Sequence, residues 1–276
     1  MPTVTPALAL IIFIAGAVAG SLGALLGLGG GILLVPFLNL GLRFPITAAA
    51  AISLVTVIAT SSSVSAGRAG KQLINMRLGM LLEVATAAGS LLGGVTAQML
   101  GQSTLQKLFG VMSAVVAVIM LSRLQRRNVI LDPSADPGIL GGRFYEEESA
   151  AMVTYRVKRL PVALVASFVA GNLSSLLGIG GGFIKVPVLN AWCGVPMRAA
   201  AATSAFMIGV TATAGAVIYY GQGQLVPALA AAAVLGVQLG SWTGMRFGQR
   251  ASARWLKLLM AIVLFVISIL MFVRAR

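Results

Sequence analysis

Residues 27–36 read GLGGGILLVP, and residues 178–187 read GIGGGFIKVP. The offset of 151 between them runs without a gap from Gly20 and Gly171 to Gln98 and Gln249. It pairs Asn39 with Asn190, Pro45 with Pro196, Ser53 with Ser204, Thr60 with Thr211, Gly89–Ser90 with Gly240–Ser241, and Gly93 with Gly244. A match of this kind makes the chain two copies of one module. Whatever the first copy folds into, the second must fold into as well.

The modules belong in lipid. Hydrophobic residues make up 58% of the chain and charged residues 9%, with a mean hydropathy of +0.98. A soluble domain carries about 25% charged residues. The net charge of +14 does not indicate nucleic acid, because the basic residues cluster between apolar runs, as membrane topology signals do. With no histidine and only Cys193, zinc and haem sites of the usual kinds are excluded, and no cofactor is expected. The N-terminal apolar run lacks a basic leader region and has a counterpart before the second phrase, so it reads as part of the fold.

The fold class expected is an all-α polytopic membrane protein made of two homologous, inverted helical modules. Each begins with a glycine-broken apolar stretch, at 7–42 and 161–194. Apolar helices then follow at 46–66, 78–100 and 105–122, and at 198–218, 226–247 and 255–273. The domain boundaries are 1–124 for the first module, 125–159 for a linker, and 160–276 for the second. The linker region is polar, with Arg126, Arg127, Asp132, Asp136, Arg143 and Glu146–Glu148, and reads as a cytoplasmic connection without chemistry.

A helix of the length of residues 7–42 would extend about 52 Å at about 1.5 Å per residue, against a hydrocarbon core of roughly 30 Å. The glycines must therefore break it, into two crossings or into one crossing and a re-entrant half-helix. Charge placement favours an odd number of crossings per module. Arg68, Lys71 and Arg77 flank the loop after the second stretch of module one, whereas its counterpart, 219–226, has no charge. One loop later the bias reverses, with Lys107 set against Arg246, Arg250, Arg254 and Lys257. Inverting the second module puts both basic loops inside with the linker. That reading gives ten crossings.

Several residues are candidates for chemistry. Broken backbone at membrane depth is tolerated where protein covers it or where it lines a wet cavity. The helices restarting after Gly29, Gly30 and Gly31 and after Gly180, Gly181 and Gly182 present N–H groups there, an arrangement that attracts anions. Lys185 stands where the first copy has Leu34. A basic residue at the bilayer centre costs about 2.5–3.5 kcal/mol and is a functional candidate by default. Its positive charge suits a visiting anion; a structural pair with Glu83, or snorkelling to the interface, would also accommodate it. Glu83 is the one acidic residue within an expected membrane helix, and hence the one carboxylate available for proton coupling. Ser53, Thr56 and Thr60 share a helix face, and Ser204 and Thr211 repeat two of them. These hydroxyls suit either ligand contact or back-bonding to their own helix. Asn39 and Asn190, three residues beyond each proline, carry amides that must find partners.

Taken together, the two G-[LI]-G-G-G-x-x-x-V-P phrases and the P-[IM]-x-A-A-A-A segments at 45–51 and 196–202 resemble the sulfite exporter TauE/SafE family, also called the toluene sulfonate uptake permease family. The resemblance covers both modules but not the linker. It implies a multi-pass transporter of the bacterial inner membrane for sulfite, sulfonates or related organic anions, with seven to nine spans rather than ten.

The expected activity is secondary transport of small sulfur-containing anions by alternating access, as internal repeats often provide. The expected partners are the anionic substrate, the lipid bilayer and protons as coupling ion, with homo-oligomerisation left open and no nucleic acid. An anion channel or a non-catalytic membrane assembly protein is the alternative. No G-x-x-x-x-G-K-[ST] phrase supplies an ATPase, and no His, Cys or paired-carboxylate constellation suggests an enzyme.

Overall fold

A computed structural model describes residues 5–26, 29–68, 72–122, 136–146, 151–247 and 253–275. Gly27 and Leu28 of the first phrase, and Lys71, Arg126, Arg127, Asp132, Glu147, Glu148, Gln249 and Arg250 named above, lie outside the described residues.

The described chain is dominated by helices. In the first module they are α1 (Pro6–Leu26), α2 (Gly31–Pro36) continuing as a π-helical turn (Phe37–Gly41), α3 (Ile46–Arg68), α4 (Met76–Met99) and α5 (Gln102–Ser122). Strands β1 (Gly142–Glu146) and β2 (Ala151–Tyr155) follow. The second module has α6 (Leu160–Leu177), α7 (Gly182–Ala191), α8 (Met197–Gly221), α9 (Pro227–Phe247) and α10 (Ala253–Arg274). Local chemistry sets several ends. The Asn75 side chain caps α4 by accepting from the Leu78 amide at 3.0 Å. Pro196 precedes α8, where its missing N–H costs nothing.

Seven helices among the described residues are long and apolar enough to cross a membrane: α1, α3, α4, α5, α6, α8 and α9. α10, 22 residues long, is a further apolar helix, so the departure from the ten crossings expected lies in the glycine stretches. The returning limb of the first glycine stretch, Gly31–Gly41, is only about 16 Å long at about 1.5 Å per residue, roughly half of the hydrocarbon core. It runs as a half-helix and ends in a turn, with Leu42 bent, Arg43 at φ 58° and the Phe44 amide donating to the Leu38 carbonyl at 3.0 Å.

Helices exchange partners between the modules. α1 lies along α9 and runs the same way: a Cβ on Gly16 would meet Ala233, one on Gly20 would meet Val237, and one on Gly244 would meet Ser21. α4 lies along α6, again in the same direction, with Gly89 against Phe168 and Gly93 against Asn172. At these points the glycines let backbone approach backbone, the usual device for packing helices in lipid. α3 runs alongside α9, where Ser63 bonds Gln238 and Gly67 meets Met245. α4 runs alongside α8, where Gly79 meets Thr203 and Gly94 meets Ile218.

Two pairs run oppositely. α3 crosses α8 with Leu54 near Gly215 and Ser61 near Gly209. α5 crosses α10 with Gly110 against Phe272, and Ser103 donates to the Ala275 carbonyl at 2.6 Å. The core fills the space between these helices and contains Ile32, Leu34, Leu54, Val57, Leu177 and Ile208.

The linker is more than a connection. β1 and β2 pair antiparallel, with Phe144 opposite Val153. Phe144, Val153 and Tyr155 are buried against Leu78, Cys193, Val195 and Ala199 at one end of the bundle. Asn75 donates to the Leu140 carbonyl at 2.8 Å and bonds the Tyr155 hydroxyl at 3.1 Å. The hairpin thereby ties the α3–α4 loop to the α7–α8 loop.

Candidate functional site

The two glycine phrases meet at the crossing of α3 and α8. Gly29 (φ 74°) and Gly180 (φ 78°) occupy corresponding positions, and both adopt the left-handed conformation that turns the chain back on itself. A Cβ on Gly30 would press on the Ala19 carbonyl of α1, and one on Gly181 on the Ala170 carbonyl of α6. Each half-helix therefore folds tightly against the helix before it. Gly29 touches Val57, halfway along α3. Gly31 faces the Gly178 carbonyl, which accepts a hydrogen bond from Ser53 Oγ at 2.6 Å.

Lys185 follows in the first turns of α7 and is 1% exposed. Its Nζ donates to Thr211 Oγ1 at 3.2 Å and lies 3.8 Å from Glu83 Oε2. Thr211 Oγ1 stands 2.7 Å from Glu83 Oε1 and 3.1 Å from the Met207 carbonyl oxygen. The hydroxyl has one proton and two acceptors within reach. Glu83 Oε2 is buried without a hydrogen bond. Three elements from both modules thus converge on one chain of polar contacts: α4 with Glu83, α7 with Lys185 and α8 with Thr211.

Lys185, Glu83 and Thr211, nominated separately from the sequence, are the candidates that come together. Ser53 holds the two phrases to each other. Ser204 is buried, and its Oγ has no hydrogen-bond partner among the described residues. Thr60 bonds back to the Thr56 carbonyl at 2.9 Å. The asparagines stand away from the breaks. Asn39 donates to the Phe44 carbonyl at 2.8 Å and accepts from Gln106 at 3.0 Å. Asn190 donates to the Val195 carbonyl at 2.9 Å. Each amide closes the loop that follows its half-helix.

Ser90 and Gln106 were not nominated. Ser90 Oγ donates to the Thr211 carbonyl at 2.6 Å, supporting the turn that carries the hydroxyl. Its recurrence as Ser241 was a signal: Ser241 Oγ donates to the Gly20 carbonyl at 3.3 Å. Among the described residues, no three of His, Cys, Asp and Glu stand close enough to hold a metal ion. Two grooves of about 680 and 560 Å³ lie elsewhere, against α1–α2 and α6–α7. Their linings, Ile11, Ile14 and Phe37 in one and Val162, Val165 and Val188 in the other, are largely apolar; Trp192 of the second is their one side-chain donor, and neither groove offers an anion a charged group.

Paired half-helices buried in a bundle of apolar spans, with a lysine beside one of them, describe a membrane transport protein, and comparison with known proteins agrees. The model of the family described as sulfite exporter TauE/SafE matches residues 12–271. The chain belongs to this family. Two relatives match over most of their length. The "Probable membrane transporter protein YunE" of Bacillus subtilis (strain 168) is 27% identical, over 94% of this chain and 95% of its own. The "Probable membrane transporter protein MJ0441" of Methanocaldococcus jannaschii is 24% identical, over 95% of this chain and 94% of its own. No solved structure matches. The protein is therefore a multi-pass membrane transporter of the TauE/SafE family.

Proposed function

We propose that this TauE/SafE protein is a secondary transporter of small sulfur-containing anions, such as sulfite or sulfonates, working by alternating access in a bacterial inner membrane. The observation that carries the reading is the comparison the chain makes with itself. Where the second phrase has Lys185, the first has Leu34, and the position matching Glu83 is Val234. Leu34 is fully buried, so this fold accommodates an apolar residue there. Replacing a buried ion pair with apolar residues is often neutral or stabilising, by about 1–4 kcal/mol. A charge kept at one of two equivalent places needs a reason beyond stability, and an anionic substrate supplies one.

The inverted arrangement belongs to this proposal. α1, α3 and α9 run one way and α4, α6 and α8 the other, which supports counterparts at offset 151 having opposite directions. The phrases at the α3–α8 crossing would then form the site about which the halves rock. The non-enzymatic reading belongs to this proposal as well.

Purified protein in proteoliposomes tests the proposal. A panel of sulfite, thiosulfate, sulfate and methanesulfonate should include at least one anion whose uptake saturates and accelerates when the same anion is loaded inside. Flux linear in concentration would mean a channel, and no flux of any of the four would overturn the proposal.

A further inference from the structure

We infer that an anion arriving at Lys185 displaces Glu83, which then takes up a proton, so that one monovalent anion travels with one proton and the charge of the site never changes. This rests on the transport reading above and names its coupling ion.

The argument begins with charge. The empty site holds an ammonium and a carboxylate and is neutral. Adding an anion alone would leave one uncompensated negative charge among apolar helices, at a cost of several kcal/mol. Adding an anion and a proton together restores neutrality: ammonium, anion and carboxylic acid. Water on the side of entry supplies the proton. One O–H bond forms on Glu83, Lys185 keeps its three protons, and release on the far side reverses both events.

Among the described residues, Lys185 on α7 is the one charged side chain beside Glu83. α6 carries none between Leu160 and Leu177, α8 carries Arg198 at its start and Tyr219 and Tyr220 at its far end, and α4 itself adds only Arg77 in its first turn.

The hydrogen bonds fit both states. With Glu83 ionised, Thr211 donates to Oε1 and accepts from Lys185. With Glu83 protonated, the acid can donate to Thr211 Oγ1, and the hydroxyl turns its own proton to the Met207 carbonyl 3.1 Å away. In that state the proton sits on Oε1, and Oε2, buried and without a hydrogen bond, is the carbonyl oxygen of the acid. The ion pair at 3.8 Å is long enough to be broken by a competitor that bonds the ammonium directly.

The test uses methanesulfonate and ethanesulfonate, which are monovalent and stay ionised throughout the working pH range, so that any proton taken up belongs to the protein. Binding to purified full-length protein in a weakly buffered detergent solution with a pH indicator should remove about one proton per anion, and affinity should rise by up to about tenfold per unit fall in pH. Glu83→Gln, which cannot take a proton, should bind the anion at every pH at least as tightly as wild type does in acid. In proteoliposomes it should keep anion exchange but lose accumulation driven by a proton gradient. Binding by wild type without proton uptake, or a Glu83→Gln variant that still accumulates anion against a gradient, overturns the inference and leaves the transport reading standing. If neither probe binds to folded wild type, the transport reading falls for these anions and the inference with it. The wild-type proton count does not depend on whether the variant folds.

Discussion

Ser53 Oγ, on α3 of the first module, donates to the Gly178 carbonyl of the second module's phrase at 2.6 Å. This contact pins one glycine break to the other. Gly31 lies against the same carbonyl, so that a Cβ there would overlap the oxygen. Ser53→Ala leaves a buried acceptor unsatisfied and should cost about 1–3 kcal/mol. Gly31→Ala should cost more, because backbone, not a flexible side chain, must give way. Thermal unfolding in detergent measures both. Equal and small losses would mean that the phrases are not packed against each other.

The hairpin offers a second test through Asn75. Asn75→Asp keeps the acceptor that caps α4 but removes the donors to Leu140 and Tyr155, whereas Asn75→Ala loses both, with about 0.5–2 kcal/mol for the cap. Amide hydrogen exchange at 142–146 and 151–155 should accelerate in both variants, and the first turn of α4 should loosen only in the alanine one. Burial pushes the Tyr155 phenol above its ordinary value of 10.0, opposed by the Asn75 hydrogen bond. Docking of the hairpin is therefore complete below that value and weakens as pH rises above it. Tyr155→Phe should abolish this alkaline sensitivity, and its persistence in that variant would point to another group.

Much of the helical layout was legible because it follows from composition. The apolar runs at 78–100 and 226–247 became α4 and α9 nearly residue for residue, since prolines, glycines and charges bound them. Partner choice was not legible. Small-residue faces carry no address, and nothing local to Gly89 or Gly93 says that α4 leaves its own module to lie along α6. The hairpin escaped because its strands are short and sit in a polar stretch that reads as a loop. Lys185 stood out as a charge in an apolar run, but its pairing with Glu83 depends on α4 crossing between modules. Asn39 and Asn190 were noticed for the right physical reason, an amide needing partners. Their amide donors go to the backbones of their own loops, and Asn39 also accepts from Gln106 of α5.

Topology can be read with two cysteines in a Cys193→Ala background. Gln72, exposed in the loop between α3 and α4, belongs to the hairpin end of the bundle. Gln222, exposed after α8, belongs to the opposite end. If the modules are inverted and the linker is inside, an impermeant thiol reagent applied to intact cells labels Gln222→Cys and spares Gln72→Cys until the membrane is opened. Labelling of both positions from outside would rule out that arrangement.

The ion pair alters what a substitution at Lys185 should do. From the sequence alone, Lys185→Leu copies the first phrase and removes an insertion cost. With Glu83 Oε2 3.8 Å away, the single change leaves a buried carboxylate alone, and breaking a buried pair from one side costs about 3–5 kcal/mol. The loss should shrink in acid, as Glu83 is neutralised. Glu83→Val combined with Lys185→Leu reproduces the apolar pair Val234 and Leu34 and should restore stability to wild type or above, since apolar replacement of a buried pair is often neutral or favourable. Anion binding separates stability from function. Both variants should lose about 1.5–3 kcal/mol, the scale of a hydrogen bond to a charged group, or about 10- to 150-fold in affinity, and Lys185→Arg should retain part of it. Unfolding and anion binding on the same purified samples decide the matter. A double variant that is stable and binds the anion as wild type does would reduce Lys185 and Glu83 to a structural pair.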